Sequence, residues 1–169
     1  TQIAESSIVG ILEPLEAEAI KLATADVDLI VLAATAPSFI QGAGYDKVVS
    51  ERITTATGKP ALTTSRAMVR ALRALGAQRI TLGSAFTDDV NAVATSFLQA
   101  NGFCVAASEG LGYIDNLAVG RLGIKTAFDV ARTVDRGDTQ ALLLACTNWV
   151  SMAAIEELET ELGKPVIST

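Results

Sequence analysis

The chain has 169 residues; half of them are hydrophobic, 19% are charged, and the formal net charge is −6. That length and apolar content suit one α/β domain, or two small lobes that share a core. The net negative charge and the lack of a basic cluster argue against nucleic acid as a partner. No apolar run reaches the roughly 18 residues of a transmembrane helix, so we expect no membrane partner either.

Two further features of the composition narrow the chemistry. The two cysteines are too few for a disulfide framework and suit free thiols in a reducing cytoplasm, where we expect the protein to act. The absence of histidine removes Ser-His-Asp triads, Cys-His pairs and HExxH zinc sites. There is also no glycine-rich nucleotide fingerprint. We therefore expect neither a metal nor a nucleotide cofactor.

Hydrophobic spacing predicts the elements in chain order. Apolar residues between positions 8 and 15 are spaced as on a helix, and Pro14 either interrupts that helix or lies in the first turn of one that runs to about Ala25. The predicted elements that follow are a buried parallel strand at Leu29–Ala33, a loop at 35–44, a helix from Tyr45 to Gly58, a strand at Ala61–Thr64, a helix from about Met68 to Leu75, a strand at Arg79–Ser84, a helix that Thr87 or Asp88 caps and Asn101-Gly102 ends, a strand at Phe103–Ala107, an irregular glycine-rich segment at 108–124, a helix at Lys125–Val134, a strand at Gln140–Ala145, a helix through Ile155 and Leu162, and a strand at Val166–Ser168.

This alternation of strands and helices predicts a parallel sheet in a doubly wound α/β fold. Ligands of such folds bind beyond the carboxyl ends of the strands. Thr35, Phe86 and Cys146 each follow a predicted strand, so they are candidates for a binding site.

The stretch at 141–149 carries the clearest chemical signal. A short apolar run ends at Cys146, Thr147 and Asn148 follow, and a helical pattern comes at once. We interpret this as a buried strand that delivers a thiol to the start of a helix. Unpaired N–H groups there attract anions, and the proton of a cysteine at that place is tunable.

The chain also contains what we interpret as an internal duplication. Residues 28–65 and 141–169 both run through a strand, a small residue, a threonine, a helix, Gly-Lys-Pro and a second strand. Ala34 then matches Cys146, and Thr35 matches Thr147. The first copy has 24 residues from Ala34 to its glycine and the second has 17, so the first has about two extra helical turns or a longer loop. The alternative is two βα units that are alike only because all such units are.

Six short motifs follow one another along the chain: LAATAPSFIQG at 32–42, ALRALGAQRI at 71–80, FTDDVN at 86–91, LGYIDNLAVGR at 111–121, ACTN at 145–148 and LGKPVIS at 162–168. This ordered set resembles the maleate isomerase and arylmalonate decarboxylase branch of the aspartate/glutamate racemase superfamily. The likeness covers nearly the whole chain.

The resemblance implies two pseudo-twofold related Rossmann-like lobes with a cofactor-free active site between them. The lobes would be residues 1–64, without an N-terminal strand, and residues 65–169, sharing one interface. Members of the branch are longer at both ends, so we expect this chain to lack their N-terminal strand and C-terminal helix. The implied partner is a small dicarboxylic acid substrate, and a homo-oligomer is compatible with the branch.

The first cysteine position of the superfamily is Ala34 here, and this difference bears on the reaction. Racemases and maleate isomerases have a cysteine in both copies, and a methyl group can neither move a proton nor attack an alkene. Arylmalonate decarboxylases have a small residue first and one cysteine second, as in this chain. We favour decarboxylation, in which Cys146 protonates an enediolate. The alternatives are a maleate isomerase that has lost its first cysteine and a non-catalytic carboxylate-binding protein.

Motif positions imply Cys146 as the catalytic residue and a set of substrate-binding positions: Ala34, Thr35, the Ala36 backbone, Phe86, Asn116, and the backbone groups of Thr147 and Asn148. Phe86 replaces a tyrosine that relatives often have, and Asn116 would contact a second carboxylate. Each residue also has a structural interpretation: Cys146 and Phe86 as core, Thr35 and Thr147 as N-caps, Asn116 as part of a turn. We expect Cys104 to be core and Lys59 and Lys164 to be solvated charges at helix ends.

Overall fold

A computed structural model describes residues 5–169, with side chains described from residue 8 onward. The first four residues, part of the ambiguous N-terminal prediction, lie outside the described residues. The described helices and strands are α1 (Glu5–Gly10), α2 (Leu15–Ala23), β1 (Ile30–Leu32), α3 (Tyr45–Thr57), β2 (Ala61–Thr63), α4 (Thr64–Ala74), β3 (Arg79–Ser84), α5 (Asp88–Ala100), β4 (Cys104–Gly110), α6 (Asn116–Gly120), α7 (Lys125–Val134), β5 (Ala141–Ala145), α8 (Ile155–Leu162) and β6 (Val166–Ser168). Short 3-10 helices at Ala36–Ser38 and Met152–Ala154 come before α3 and α8.

The strands form two parallel sheets. β1 pairs with β2, and the larger sheet has the order β4-β3-β5-β6. All five residues of β5 are buried, so both faces of this strand are covered, since alternate side chains of a strand point to opposite faces. The predicted α/β fold with parallel sheets is confirmed.

Two hydrophobic clusters correspond to the two sheets. The smaller cluster lies between β1, α2 and α3, and the larger one surrounds the four-stranded sheet. Part of the first half contributes to the larger cluster, since Phe39 and Ile40 pack there. Residues from both halves of the sequence therefore build the larger cluster, while the division into lobes at residues 64 and 65 and their shared interface stay predictions.

Hydrogen bonds at the two Gly-Lys-Pro motifs support the internal duplication. The N–H of Ile30 donates to the carbonyl of Pro60 at 3.0 Å, and the N–H of Leu142 donates to the carbonyl of Pro165 at 3.0 Å. The strand pairs β1–β2 and β5–β6 therefore begin with the same register. Ala34 lies four positions after Ile30 and Cys146 lies four positions after Leu142, so Ala34 matches Cys146 as predicted.

The helices before the two motifs end in the same way. Gly58 and Gly163 have φ of +69° and +64°, a left-handed conformation that favours glycine. The longer first copy is explained mainly by its helix, because α3 has 13 residues and α8 has eight.

The prediction that Leu29–Ala33 is a buried strand is wrong in its burial. Only Ile30–Leu32 is a strand, and the side chains of Leu29 and Val31 are about half exposed. Among the described residues, helices cover one face of β1, on the side of Ile30. Alternate side chains of a strand point to opposite faces, so Val31 points outward.

The prediction that Cys104 belongs to the core is also wrong. Cys104 is exposed, because it is the first residue of the edge strand β4. The guanidinium of Arg79 donates a hydrogen bond to its sulfur at 3.0 Å. The segment at 108–124 is less irregular than expected, since β4 continues to Gly110 and α6 lies within the segment.

The two lysines of the Gly-Lys-Pro motifs, Lys59 and Lys164, differ in how deeply their side chains are buried. The Lys164 side chain is 9% exposed, lies 2.8 Å from the Asp135 carboxylate and donates to the carbonyl of Arg136 at 2.6 Å. The expectation of a solvated charge is therefore wrong for Lys164, because its side chain is buried against the segment that contains Asp135 and Arg136. Lys59 is 29% exposed and pairs at 2.8 Å with Asp26, which is almost fully exposed.

The difference in burial predicts that replacement of Lys164 and of Lys59 by methionine will lower the free energy of unfolding by different amounts. We expect Lys164→Met to lower the free energy of unfolding by about 1–3 kcal/mol, because it leaves the Asp135 carboxylate unpaired in a partly buried site. Lys59→Met should cost less than about 1 kcal/mol, as is usual for exposed pairs. Urea unfolding measures both values, and equal losses would contradict the assignment of Lys164 as a buried structural charge.

Candidate active site

The candidate site lies beyond the carboxyl ends of β1, β3 and β5. These strands end at Leu32, Ser84 and Ala145, and each is followed within three residues by a predicted site residue. Ser84 is in register with Ala145, and the N–H of Ala85 donates to the Ala145 carbonyl at 3.4 Å. The parallel pairing of β3 and β5 therefore brings Phe86 and Cys146 to the same edge of the sheet.

Thr169 connects the two copies of the small residue–threonine motif. Its hydroxyl accepts a hydrogen bond from the N–H of Cys146 at 3.0 Å and lies 3.1 Å from the hydroxyl of Thr35. The N–H of Thr169 donates to the Leu144 carbonyl at 3.1 Å, so the pairing of β6 with β5 fixes the residue. Thr35 and Cys146 thus lie on either side of one hydroxyl group, although 111 positions separate them in the sequence.

The thiol of Cys146 is buried, with 8% of the residue exposed. Burial raises the pKa of Cys146, because the low-dielectric surroundings disfavour the thiolate. The backbone N–H groups of Asn148 and Trp149 act in the opposite direction and lower the same pKa to a smaller extent. At neutral pH this residue therefore carries its proton.

The expectation that a helix starts directly after Cys146 is wrong. A turn occupies 147–151, a 3-10 helix follows, and α8 begins only at Ile155. The N–H groups that face the sulfur come from this turn, where the N–H of Trp149 donates to the Cys146 carbonyl at 3.0 Å. Thr147 consequently caps no helix, so its N-cap interpretation is excluded.

Side chains on three sides fix this turn. The Asn148 side-chain amide donates to the Asn116 carbonyl at 2.6 Å, and the Trp149 indole N–H donates to the Thr126 hydroxyl at 2.9 Å. The Ser151 hydroxyl lies 2.7 Å from the hydroxyl of Ser168. Asn116 thus enters the site through its backbone carbonyl, and the Asp115 carboxylate caps the short helix there by accepting from Leu117 N–H.

Phe86, a predicted site residue, is buried. Its ring packs edge-on against Phe39 with the centroids 5.9 Å apart, so it joins the site to the loop after β1. The N–H of Phe86 donates to the Ser84 hydroxyl, which itself donates to Asn91 at 2.8 Å. A Cβ at Gly110 would lie 2.5 Å from the Phe86 carbonyl oxygen, so glycine is required for this close approach.

Two backbone N–H groups next to Thr35 and Cys146 in the sequence are unpaired within the described part of the chain. Among the described residues, the N–H groups of Ala36 and Thr147 have no acceptor in the protein. The N–H of Cys146 is occupied by Thr169, so it is not available to a substrate carboxylate. Thr35 occupies the N-cap position of a 3-10 helix, but its hydroxyl does not cap that helix. The hydroxyl contacts Thr169 instead, so the N-cap interpretation does not account for Thr35.

The sequence analysis missed the network that fixes the Thr35 loop. The Ser38 hydroxyl donates to the Thr35 carbonyl at 2.8 Å and accepts from the Ser65 N–H at 3.2 Å. Ser38 and Ser65 are fully buried, so this network ties the loop to the start of α4. Thr169 was also missed; the signal that could have found it was its place after the second Gly-Lys-Pro strand, where it matches Thr64 of the first copy.

Comparison with known sequences decides the family. The sequence model of arylmalonate decarboxylase matches residues 1–169 of this chain. The chain belongs to the arylmalonate decarboxylase family. The arylmalonate decarboxylase of Bordetella bronchiseptica is 31% identical over 162 residues, which are 95% of this chain and 68% of that protein. The maleate isomerase of Geobacillus stearothermophilus is 28% identical over 156 residues, which are 89% of this chain and 62% of that protein.

Solved structures confirm the predicted fold and branch. The liganded crystal structure of an arylmalonate decarboxylase variant has a TM-score of 0.95 and 28% identity, covering 99% of this chain and 72% of that one. The crystal structure of the maleate isomerase Iso from Pseudomonas putida S16 has a TM-score of 0.95 and 25% identity, covering 99% of this chain and 70% of that one. The named relatives are enzymes, and the chain spans about two thirds of their length.

The described part of the chain, from residue 5 onward, lacks two kinds of feature. None of its helices is long and apolar enough to span a bilayer. It contains no group of three His, Cys, Asp or Glu side chains placed to bind a metal ion.

The environments of the two cysteines predict their order of reactivity. We expect iodoacetamide to alkylate Cys104 rapidly at about pH 8, because its sulfur is exposed. Cys146 should react at least tenfold more slowly, because its thiol is buried and its pKa is raised, so little thiolate forms. Peptide mass spectrometry over time measures both rates, with Cys104→Ser as the control. Faster alkylation of Cys146 would contradict the burial of its thiol.

Proposed function

We propose that this protein is a cofactor-independent decarboxylase of malonate-type dicarboxylic acids and that Cys146 is its proton donor. The observation that carries the proposal is the pairing of one buried, protonated thiol with a methyl group at the matching position, Ala34. A single acid on one side of the substrate is sufficient for decarboxylation, which needs only one proton delivered to carbon.

The reaction balances with the groups present. The bond between the central carbon and one carboxylate breaks and CO₂ leaves, while the electron pair moves onto the remaining carboxylate to form an enediolate. The Cys146 thiol then gives its proton to the central carbon, and the thiolate recovers a proton from solvent. A raised thiol pKa suits this role, because the group must be protonated before each turnover.

The enediolate carries two negatively charged oxygens, which require donors placed in advance. The Thr35 hydroxyl and the backbone N–H groups of Ala36 and Thr147 are the proposed donors, and the Asn148 N–H, which also interacts with the Cys146 sulfur, is a further one. Ala34 would leave space on the face opposite the thiol, and the Phe86 ring would form the apolar wall that lowers the local dielectric. Asn116 would contribute through its carbonyl by orienting the Asn148 side chain.

A variant of a relative supports the choice of Ala34 and Cys146. In the arylmalonate decarboxylase structure with 28% identity, a glycine is replaced by cysteine and a cysteine by serine. Those two positions lie 114 residues apart, and Ala34 and Cys146 lie 112 residues apart in this chain. The natural pair in that enzyme is thus a small residue followed by a cysteine, which is the pattern of this chain.

Maleate isomerisation is the second candidate. Relatives named maleate isomerase are 25% to 30% identical to this chain. A cysteine at position 34 would be the nucleophile for that reaction, and Ala34 cannot replace it. We therefore rank it below decarboxylation. A cytoplasmic location and a homo-oligomeric assembly stay predictions.

The first test is a direct assay with phenylmalonate and maleate. We expect the unaltered chain to release CO₂ from phenylmalonate and Cys146→Ser to lower kcat by about 10³-fold, because serine is a far weaker acid. Cys104→Ser is the matched control and should leave kcat unchanged.

Two results would overturn the decarboxylase assignment. One is isomerisation of maleate, but not decarboxylation, after Ala34→Cys; that result would identify the chain as an isomerase without its first cysteine. The other is tight dicarboxylate binding without turnover, both in the unaltered chain and in the Ala34→Cys variant, which would identify a binding protein.

The pH dependence distinguishes a thiol acid from a thiolate nucleophile. Because burial raises the pKa of Cys146 above that of an ordinary thiol, about 8.5, we expect kcat/KM to be level through neutral pH and to fall only above that value. A stopped assay with buffers from about pH 6 to 10 measures this profile. An increase in kcat/KM with rising pH would show that the thiolate is the active form and would exclude Cys146 as the proton donor.

A further inference from the structure

The hydroxyl of Thr169 lies between a backbone donor and a second hydroxyl that can either donate or accept. It accepts from the N–H of Cys146 at 3.0 Å, so one of its lone pairs is occupied. Its second neighbour is the hydroxyl of Thr35, at an oxygen–oxygen distance of 3.1 Å. Either hydroxyl can be the donor, and in both directions one hydroxyl proton has no acceptor among the described residues. If Thr35 donated to Thr169, its proton would not be available to a carboxylate bound beside Thr35.

The opposite direction gives a continuous chain of donors. The N–H of Cys146 donates to Thr169, and Thr169 donates to the Thr35 oxygen. The Thr35 proton is then not used by Thr169 and is available to a bound carboxylate. Hydrogen bonds in such a chain polarise one another, so each donation strengthens the next.

We propose that Thr169 is a positioning residue that makes Thr35 a hydrogen-bond donor to a substrate carboxylate. This inference rests on the proposed function, since it assumes a dicarboxylate between the two motifs. Thr169 itself need not touch the substrate. Its role is to occupy the Thr35 oxygen with a donor, so that the Thr35 proton is presented to an anion.

The first copy of the duplication provides a matched comparison. Thr64 occupies the position that corresponds to Thr169, and its hydroxyl donates to the Leu32 carbonyl at 3.0 Å. Thr64 therefore satisfies the backbone of its own half, whereas Thr169 reaches across to the other half. Only the second copy has the hydroxyl bridge, and only the second copy has the cysteine.

The test uses Thr169→Val, which keeps the shape of the side chain and removes the hydroxyl. We expect it to weaken malonate binding by about tenfold and Thr169→Ser to restore binding to within about threefold. Calorimetric titration with malonate is done in the Cys146→Ser background, so that binding is measured without turnover. A protein that binds malonate but does not decarboxylate it would disprove the proposed reaction and would still allow this inference to be tested.

A double-mutant cycle distinguishes positioning from general support of the fold. Thr35→Val should weaken binding at least as much as Thr169→Val, and the double variant should bind no worse than Thr35→Val alone, because Thr169 acts through Thr35. Thr64→Val is the control and should leave malonate binding unchanged. Losses that multiply in the double variant, an equal loss in Thr64→Val, or no malonate binding by the parent would each overturn the proposal.

Discussion

The hydroxyl of Thr169 is the contact through which the two halves of the candidate site are aligned. It lies between the N–H of Cys146 and the hydroxyl of Thr35, and the pairing of β6 with β5 fixes its position. The turn after Cys146 and the loop after β1 are themselves held by separate side-chain networks. If the β5–β6 register shifted by one residue, the Thr169 side chain would point to the other face of the sheet and the bridge would be lost.

The chemistry proposed for the site follows from how few reactive groups it contains. The chain has no histidine, and the position that matches Cys146 is Ala34. Burial raises the thiol pKa, which favours proton donation over nucleophilic attack. An enediolate needs one proton and several donors to its oxygens, and the residues around Cys146 offer both.

Much of this fold could be predicted from the sequence, because continuous apolar runs and strong helical periodicity are local signals. The strands β3 and β6, the helix α7 and the duplicated strand pairs have the predicted places. Most of the failures depend on contacts with residues far apart in sequence. Nothing local shows that Cys104 lies at a sheet edge, that Lys164 is covered by the chain, or that Thr169 reaches Thr35. The delay of α8 until Ile155 was missed because apolar spacing does not distinguish a tight turn from a first helical turn.

The most direct test of the single-acid account is the stereochemistry of protonation. Decarboxylation of the prochiral substrate methyl(phenyl)malonate in D₂O, followed by NMR and chiral chromatography, shows from which face the central carbon receives its proton. One thiol on one face predicts a single deuterium at that carbon and one enantiomer of the product in large excess. A racemic product would contradict the account, because it would require proton delivery from both faces or from free solvent.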